Sequence, residues 1–416
     1  MKKYIKENSK KRILTNITNG RNKMRPYFIL PALLMLFFSA LPSLAAEAPA
    51  WTYLVFFNDC GHDVSREINR LENINQNDFI KITAMRFDAK EGLKTVYGIR
   101  QDADAVKISS PVLSSSKITA GEDPVRAFSD FAVQYGAGIK DGSLMITVYD
   151  RDMVINNKMA KSFNHWNNVK NMRSAFEKIV RAAGRPIDIL HFDANNFQCL
   201  ELIYEFSDFA VNIIGSEELV PECGTPYDAM LNPVISQKIT APQRFSFLFV
   251  SGWHGFFKPL AGSGIKATLS AVKTAELSMV SEKMNIMIDA LTCALNENKH
   301  RDIFVSSVVK KVRRYLDGQF IDAFDLGRLI NEEIRDQNTE KSSREFLASL
   351  TNATIKNSAI GDLGKIPITY NSFGMSLYMP VPAPKFESYD SLAIVKQTGW
   401  KSFLDYFYSF SLQRTW

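Results

Sequence analysis

The sequence predicts an α/β fold, a mostly parallel sheet with helices on both faces, followed by a largely helical C-terminal extension. Three observations carry that prediction. Several short apolar runs lack the alternation of a half-exposed strand, as expected for strands buried on both faces. Segments with helical spacing of apolar residues separate them. Strand and helix patterns then alternate from residue 51 to about residue 215, the signature of parallel strands joined by crossover helices.

The elements follow in order. Trp51 to Phe57 (WTYLVFF) is an uninterrupted apolar run and reads as the first strand. After the polar loop Asn58-Asp59-Cys60-Gly61, Val64, Ile68, Leu71 and Ile74 share one helical face. Phe79 to Phe87 is the second strand, and a polar, irregular stretch from Asp88 to Gly121 leaves room for a hairpin near Tyr97. Pro124 to Tyr135 opens with proline in a first helical turn. Ser143 to Tyr149 is the third strand. Val169, Met172, Phe176, Ile179, Val180 and Ala183 recur at helical spacing, and Gly184 with Pro186 ends that helix. Ile187 to Phe192 is the fourth strand, Phe197 to Phe206 a helix, and Val211 to Gly215 the fifth strand. If the five strands run parallel, the loops after Phe57, Tyr149, Phe192 and Gly215 meet at one rim, where such folds bind ligands. Beyond residue 236 the pattern is mainly helical, with a late strand-like piece at Met375 to Met379.

Composition narrows the function classes. The chain has 416 residues, 46% hydrophobic and 23% charged, and a net charge of +6. That is globular composition with ample core. Much of the excess charge lies in the first 25 residues, so the folded body is near neutral and carries no nucleic-acid footprint. The leader has signal-peptide form. Arg21, Lys23 and Arg25 precede an apolar run from Tyr27 to Leu41, and small residues follow at Ser43-Leu44-Ala45-Ala46. Met24 is an alternative start. The run is short for a spanning helix and contains Pro31, so the membrane is met only through this segment before cleavage. The organisation is then a leader over residues 1–46, an α/β core over 47–235 and an extension over 236–416 packing on it. The mature protein is expected to be exported, periplasmic or secreted. The four cysteines, Cys60, Cys199, Cys223 and Cys293, have no CxxC spacing, and no metal site is expected. Cys199 and Cys293 read as buried core thiols.

Longer stretches carry a resemblance. Ile189 to Glu218 contains Phe192-Asp193-Ala194-Asn195, then Glu201, Tyr204-Glu205 and Ser216-Glu217-Glu218. Before it stands SLMITVYDRD at residues 143–152. After it come Thr268-Leu269-Ser270-Ala271, Phe324-Asp325-Leu326-Gly327, Gly374-Met375-Ser376-Leu377-Tyr378 and Trp400 with Phe403-Leu404. In this order they resemble the clostripain family of cysteine peptidases, from Trp51 nearly to the end. The resemblance implies a caspase-like core and a cysteine-histidine dyad that cuts after Arg or Lys. It places Asn195 where the family keeps the cysteine and Arg151 where it keeps the histidine.

An amide is a poor nucleophile and a guanidinium is no base at neutral pH. In protease triads, loss of the nucleophile or its base lowers turnover on the order of 10⁴- to 10⁶-fold. The expectation is therefore a pseudopeptidase with no intact catalytic residue, binding a peptide or protein in the former cleft. The alternative is an active secreted endopeptidase in which Cys60 or Cys223, with a histidine such as His62, has replaced the dyad. Cys60 and Cys223 are also a candidate disulfide, since both follow strands on the same rim. His254, in Gly252-Trp253-His254-Gly255, reads as structural or partner-binding. The resemblance gives Asp193 a substrate-binding role at the base of a pocket for basic side chains. A helix cap near Asn196 is the other reading of Asp193, and Arg151 would fill the pocket if it paired with this carboxylate. Glu217 and Glu218 either line the same rim for substrate or are solvated. No cofactor is expected; calcium enters only because some members of the family bind it.

Overall fold

The computed structural model describes residues 48–59, 64–104, 106–139, 141–151, 165–316, 318–361, 372–381 and 389–411, with backbone alone at 165–168. The leader, with its signal-like segment, lies outside the described residues, as do Cys60 and His62.

The strands in chain order are β1 (Trp51–Asp59), β2 (Ile80–Asp88), β3 (Leu93–Gly98), β4 (Val112–Lys117), β5 (Ser143–Asp150), β6 (Ile187–Ala194), β7 (Ala210–Gly215), β8 (Ala267–Lys273), β9 (Arg314–Tyr315), β10 (Phe320–Asp322), β11 (Thr354–Ile360) and β12 (Ser376–Tyr378). Nine of them form one sheet in the order β11-β8-β7-β6-β5-β1-β2-β3-β4, and β12-β10-β9 form a second. The five strands read from the sequence, β1, β2, β5, β6 and β7, are parallel. Antiparallel strands extend both edges: β3 and β4 beyond β2, β8 and β11 beyond β7.

All nine residues of β1 are buried, because helices cover both faces. Leu54 and Phe56 point into one apolar cluster, while Trp51, Tyr53, Val55 and Phe57 point into the other. Period-two alternation thus splits one apolar run between two cores. The first core takes the helices Pro124–Gly136, His165–Ala183, Leu200–Phe206 and Leu277–Ala294 together with those of the C-terminal third. The second takes Ser65–Glu72, Tyr227–Ser236 and Pro242–Phe257. The helix Pro124–Gly136 starts where its residues dictate: Asp123 accepts from Val125 N–H at 2.8 Å and proline takes the first turn. Gly252 sits where the last two helices touch; a Cβ there would come within 2.3 Å of the Ala229 carbonyl oxygen.

The segment after residue 236 is largely helical, as expected, but it also supplies β8 and β11, so the sheet continues across residue 235. These strands read poorly in the sequence because Ser, Thr and Asn interrupt their apolar residues. Ala48–Trp416 fold as one unit. No helix among the described residues is long and apolar enough to cross a membrane.

Candidate functional site

Strand order reverses between β1 and β5: the chain lays β2 on one side of β1 and β5, β6, β7 on the other. Connections diverge there, leaving a crevice at the carboxyl ends of the strands. Register then decides which residues meet. Tyr149 lies opposite Asp193 and Asp150 opposite Ala194, so the next residues on each strand, Arg151 and Asn195, are neighbours.

Asn195 is 5% exposed, and its amide is engaged at both ends. Its Nδ2 donates to the Arg151 carbonyl at 2.7 Å, and its Oδ1 accepts from Val220 N–H at 2.6 Å. The side chain thereby ties β5 to the loop after β7. Asn196 follows in a left-handed conformation at φ 56°, which Asn tolerates better than most residues. Its N–H and that of Gln198 bond to Glu218 and Ser216 carbonyls. This detour delays the helix to Leu200, with Cys199 at the cap position and no side-chain cap. Asp193 therefore caps nothing, and that reading of it is corrected.

Asp193 instead faces Arg151. The guanidinium lies 3.1 Å from Asp193 Oδ1, with side-chain exposures of 10% and 2%. It also donates to Thr225 Oγ1 at 3.2 Å and stacks on the Tyr149 ring at 4.7 Å. The other Asp193 oxygen accepts from Tyr227 OH at 2.6 Å. Burial opposes the Arg151 charge, but Asp193 and Tyr149 outweigh it and raise its pKa. Burial pushes the Tyr149 phenol up to about 12. Burial, then Asp193, holds Tyr227 well above the usual phenol range, so it stays a neutral donor. Beneath the pair, Tyr53 OH, Thr147 Oγ1 and His191 Nδ1 form a buried chain with steps of 2.9 and 3.1 Å. Burial pushes His191 down to about 4, so it is neutral.

Glu217 is buried rather than solvated, and Glu218 is half-buried in an ion pair. Glu217 is 1% exposed; its Oε2 accepts from Ser372 Oγ at 3.0 Å and Gly374 N–H at 2.9 Å. Glu218 pairs with Arg313. The reason is the C-terminal half: β9, β10 and residues 372–374 cover the loop after β7, which no local pattern reveals.

The other singled-out residues are scattered. Cys223 is half-buried two residues before Thr225, but Cys60 and His62 lie outside the described residues, and the candidate bridge with them. Cys199 is buried as expected; Cys293 is exposed, on the outer face of its helix. His254 Nδ1 lies 2.7 Å from Ser358 Oγ, bracing its helix against β11. Among the described residues no three His, Cys, Asp or Glu side chains converge to hold a metal ion. A cavity of about 370 Å³ beside Phe324, Leu350, Phe373 and Met375 includes none of the candidate residues.

Sequence reasoning missed Thr225, Tyr227 and Val220, which complete the site. They come from the segment after β7, where nothing in Cys223-Gly224-Thr225-Pro226-Tyr227 marks a pocket wall. Taken together, Arg151, Asp193, Asn195, Thr225 and Tyr227 form a buried network around one ion pair, in which Arg151 Nη1 has no hydrogen-bond partner among the described residues. These positions offer amide, guanidinium, carboxylate and neutral phenol, and neither a thiol nor a base poised near neutrality.

Comparison with known proteins supplies the context. A sequence profile described as the clostripain family matches residues 150–407. No curated protein matches this chain. Among solved structures, an inactive zymogen of a C11 protease from Parabacteroides distasonis is 16% identical, covers 84% of this chain and 98% of its own, and has a TM-score of 0.59. A secreted C11 cysteine protease from Bacteroides thetaiotaomicron, bound to an irreversible peptide inhibitor, is 15% identical, with coverages of 86% and 99% and a TM-score of 0.58. At such identities the likeness is one of fold.

Proposed function

This chain belongs to the clostripain family, and we propose that it is an exported member that no longer cuts peptides and keeps the former cleft for binding. The observation that supports this reading is the state of the two dyad-equivalent positions. Asn195 is held at both ends of its amide, and Arg151 is held on Asp193. Thiolate attack needs an ionisable sulfur and a group that manages the proton; neither is present at these positions. The carboxylate that would receive a basic side chain already carries one from its own chain. A peptide or protein bound here therefore engages the rim outside the Asp193 pocket. Export is supported by the charged, apolar and small-residue order of the leader, and a structural neighbour is itself described as secreted.

A second reading keeps activity, by a thiol moved to Cys60 or Cys223. The half-buried Cys223, near the Thr225 hydroxyl that meets Arg151, favours it. The test is hydrolysis of arginyl and lysyl esters and amides by the mature protein, with and without calcium and reductant. The pseudopeptidase reading expects no turnover above buffer. Turnover abolished in a Cys60→Ala/Cys223→Ala variant would establish the second reading.

A further inference from the structure

We propose that Glu217 and Asp322 share one proton and act as a proton-operated latch. It holds the loop after β7, and with it Asn195, against the C-terminal segment 372–374. The inference concerns the cleft wall and stands whether or not the chain cuts peptides.

Both side chains are almost completely buried, at 1% and 0% exposure, and both close on the same short segment: Phe373 N–H donates to Asp322 and Gly374 N–H to Glu217. Two adjacent carboxylates without a cation cannot both stay ionised in a dry site. The donors around them decide where the proton sits. Asp322 accepts from Asp325 N–H at 2.7 Å, Phe373 N–H at 2.6 Å and Tyr315 OH at 3.2 Å. Among the described residues Glu217 accepts on Oε2 only, from Ser372 Oγ and Gly374 N–H, and its Oε1 has no donor. The proton therefore belongs on Glu217, whose Oε1 lacks a donor, while the better-supplied Asp322 keeps its charge. Burial, then the facing carboxyl, pushes Glu217 well up, and burial pushes Asp322 up to about 7.

Among the described residues, the surrounding charged groups do not relieve the pair. Arg313 is committed to Glu218 and lies 5.0 Å over the Tyr315 ring. Asp325 adds negative charge near Asp322, and its own partner is Arg328. Tyr315, linked to Ser372 Oγ at 2.7 Å, is a neutral phenol raised by burial, then by Glu217.

The latch is wired to the cleft by three short bonds. Asn196 Nδ2 donates to the Glu217 carbonyl, Glu217 N–H donates to Thr268 Oγ1 at 2.9 Å, and Val220 N–H donates to Asn195 Oδ1 at 2.6 Å. Both folded-state pKa values lie above the unfolded ones. The contact is therefore complete at low pH and is lost as pH rises through the folded values. Once the shared proton is gone the two charges repel and the loop parts from residues 372–374.

The test is hydrogen exchange of the whole protein, followed in peptides spanning residues 216–220 and 372–376 and corrected for intrinsic rates. In wild type, protection should fall on the order of 10-fold or more between pH 6 and pH 8.5. In Glu217→Gln, which keeps a donor but cannot ionise, it should change less than about 2-fold. Should that variant fail to fold, Asp322→Asn keeps the capping oxygen and carries the same test. A flat wild-type profile, or an equal fall in the variant, overturns the proposal.

Discussion

Arg151 and Asp193 are both nearly dry, and among the described residues each is the other's counter-charge. Breaking such a pair by removing one member strands a buried charge and costs about 3–5 kcal/mol. Arg151→Ala should lower stability by that order, while opening a cavity of guanidinium shape against Asp193, Thr225 and Tyr149. Added methylguanidine at millimolar concentration should then raise the melting temperature of the variant and leave wild type unmoved. Equal effects on both proteins would mean that Arg151 does not fill the Asp193 site. The sequence already carried half of this. The frame around Phe192-Asp193-Ala194-Asn195 drew attention to Asn195 and Arg151, and the opposite charges of Arg151 and Asp193 on adjoining strands offered their pairing as one option. The roles of Thr225 and Tyr227 were not legible, because they reach the site through tertiary packing rather than local pattern.

The parallel strands were legible as elements because burial on both faces leaves no polar positions in runs such as Trp51–Phe57. The start of the helix Leu200–Phe206 was not, because the left-handed Asn196 and its bonds to the loop after β7 hold residues 196–198 out of the helix. Within β6, His191 gives a pH signature. Its pKa falls from 6.5 to about 4 on burial, with Asp193 opposing. A depressed base contributes stability above its unfolded value, and this is lost as pH falls through the window from 6.5 to about 4. The loss amounts to about 3 kcal/mol. Replacing His191 by Gln should flatten the drop in melting temperature across that window; an unchanged drop would place the acid sensitivity elsewhere. Between helices, Gly252→Ala should destabilise by about 1–3 kcal/mol, since its Cβ would meet backbone rather than a movable side chain. Denaturant titration measures this, and a neutral effect would show that the two helices can separate.

At the scale of the molecule, the C-terminal half extends the sheet and also walls the candidate site. Glu217 was read as rim-lining because the sequence shows only its neighbours; β10 and residues 372–374, more than 100 positions later, bury it. The same long-range packing leaves the cleft with an ion pair and a clamped amide at Arg151 and Asn195, the positions that we propose stand in for the family's dyad. The whole reading stands on these two positions being silent. The most direct measurement is hydrolysis of arginyl and lysyl substrates by the purified mature protein, beside its Cys60→Ala/Cys223→Ala variant and with reductant present. The account predicts rates equal to buffer for both proteins. Wild-type turnover that disappears in the double variant would contradict it and show that a thiol elsewhere on the rim does the cutting.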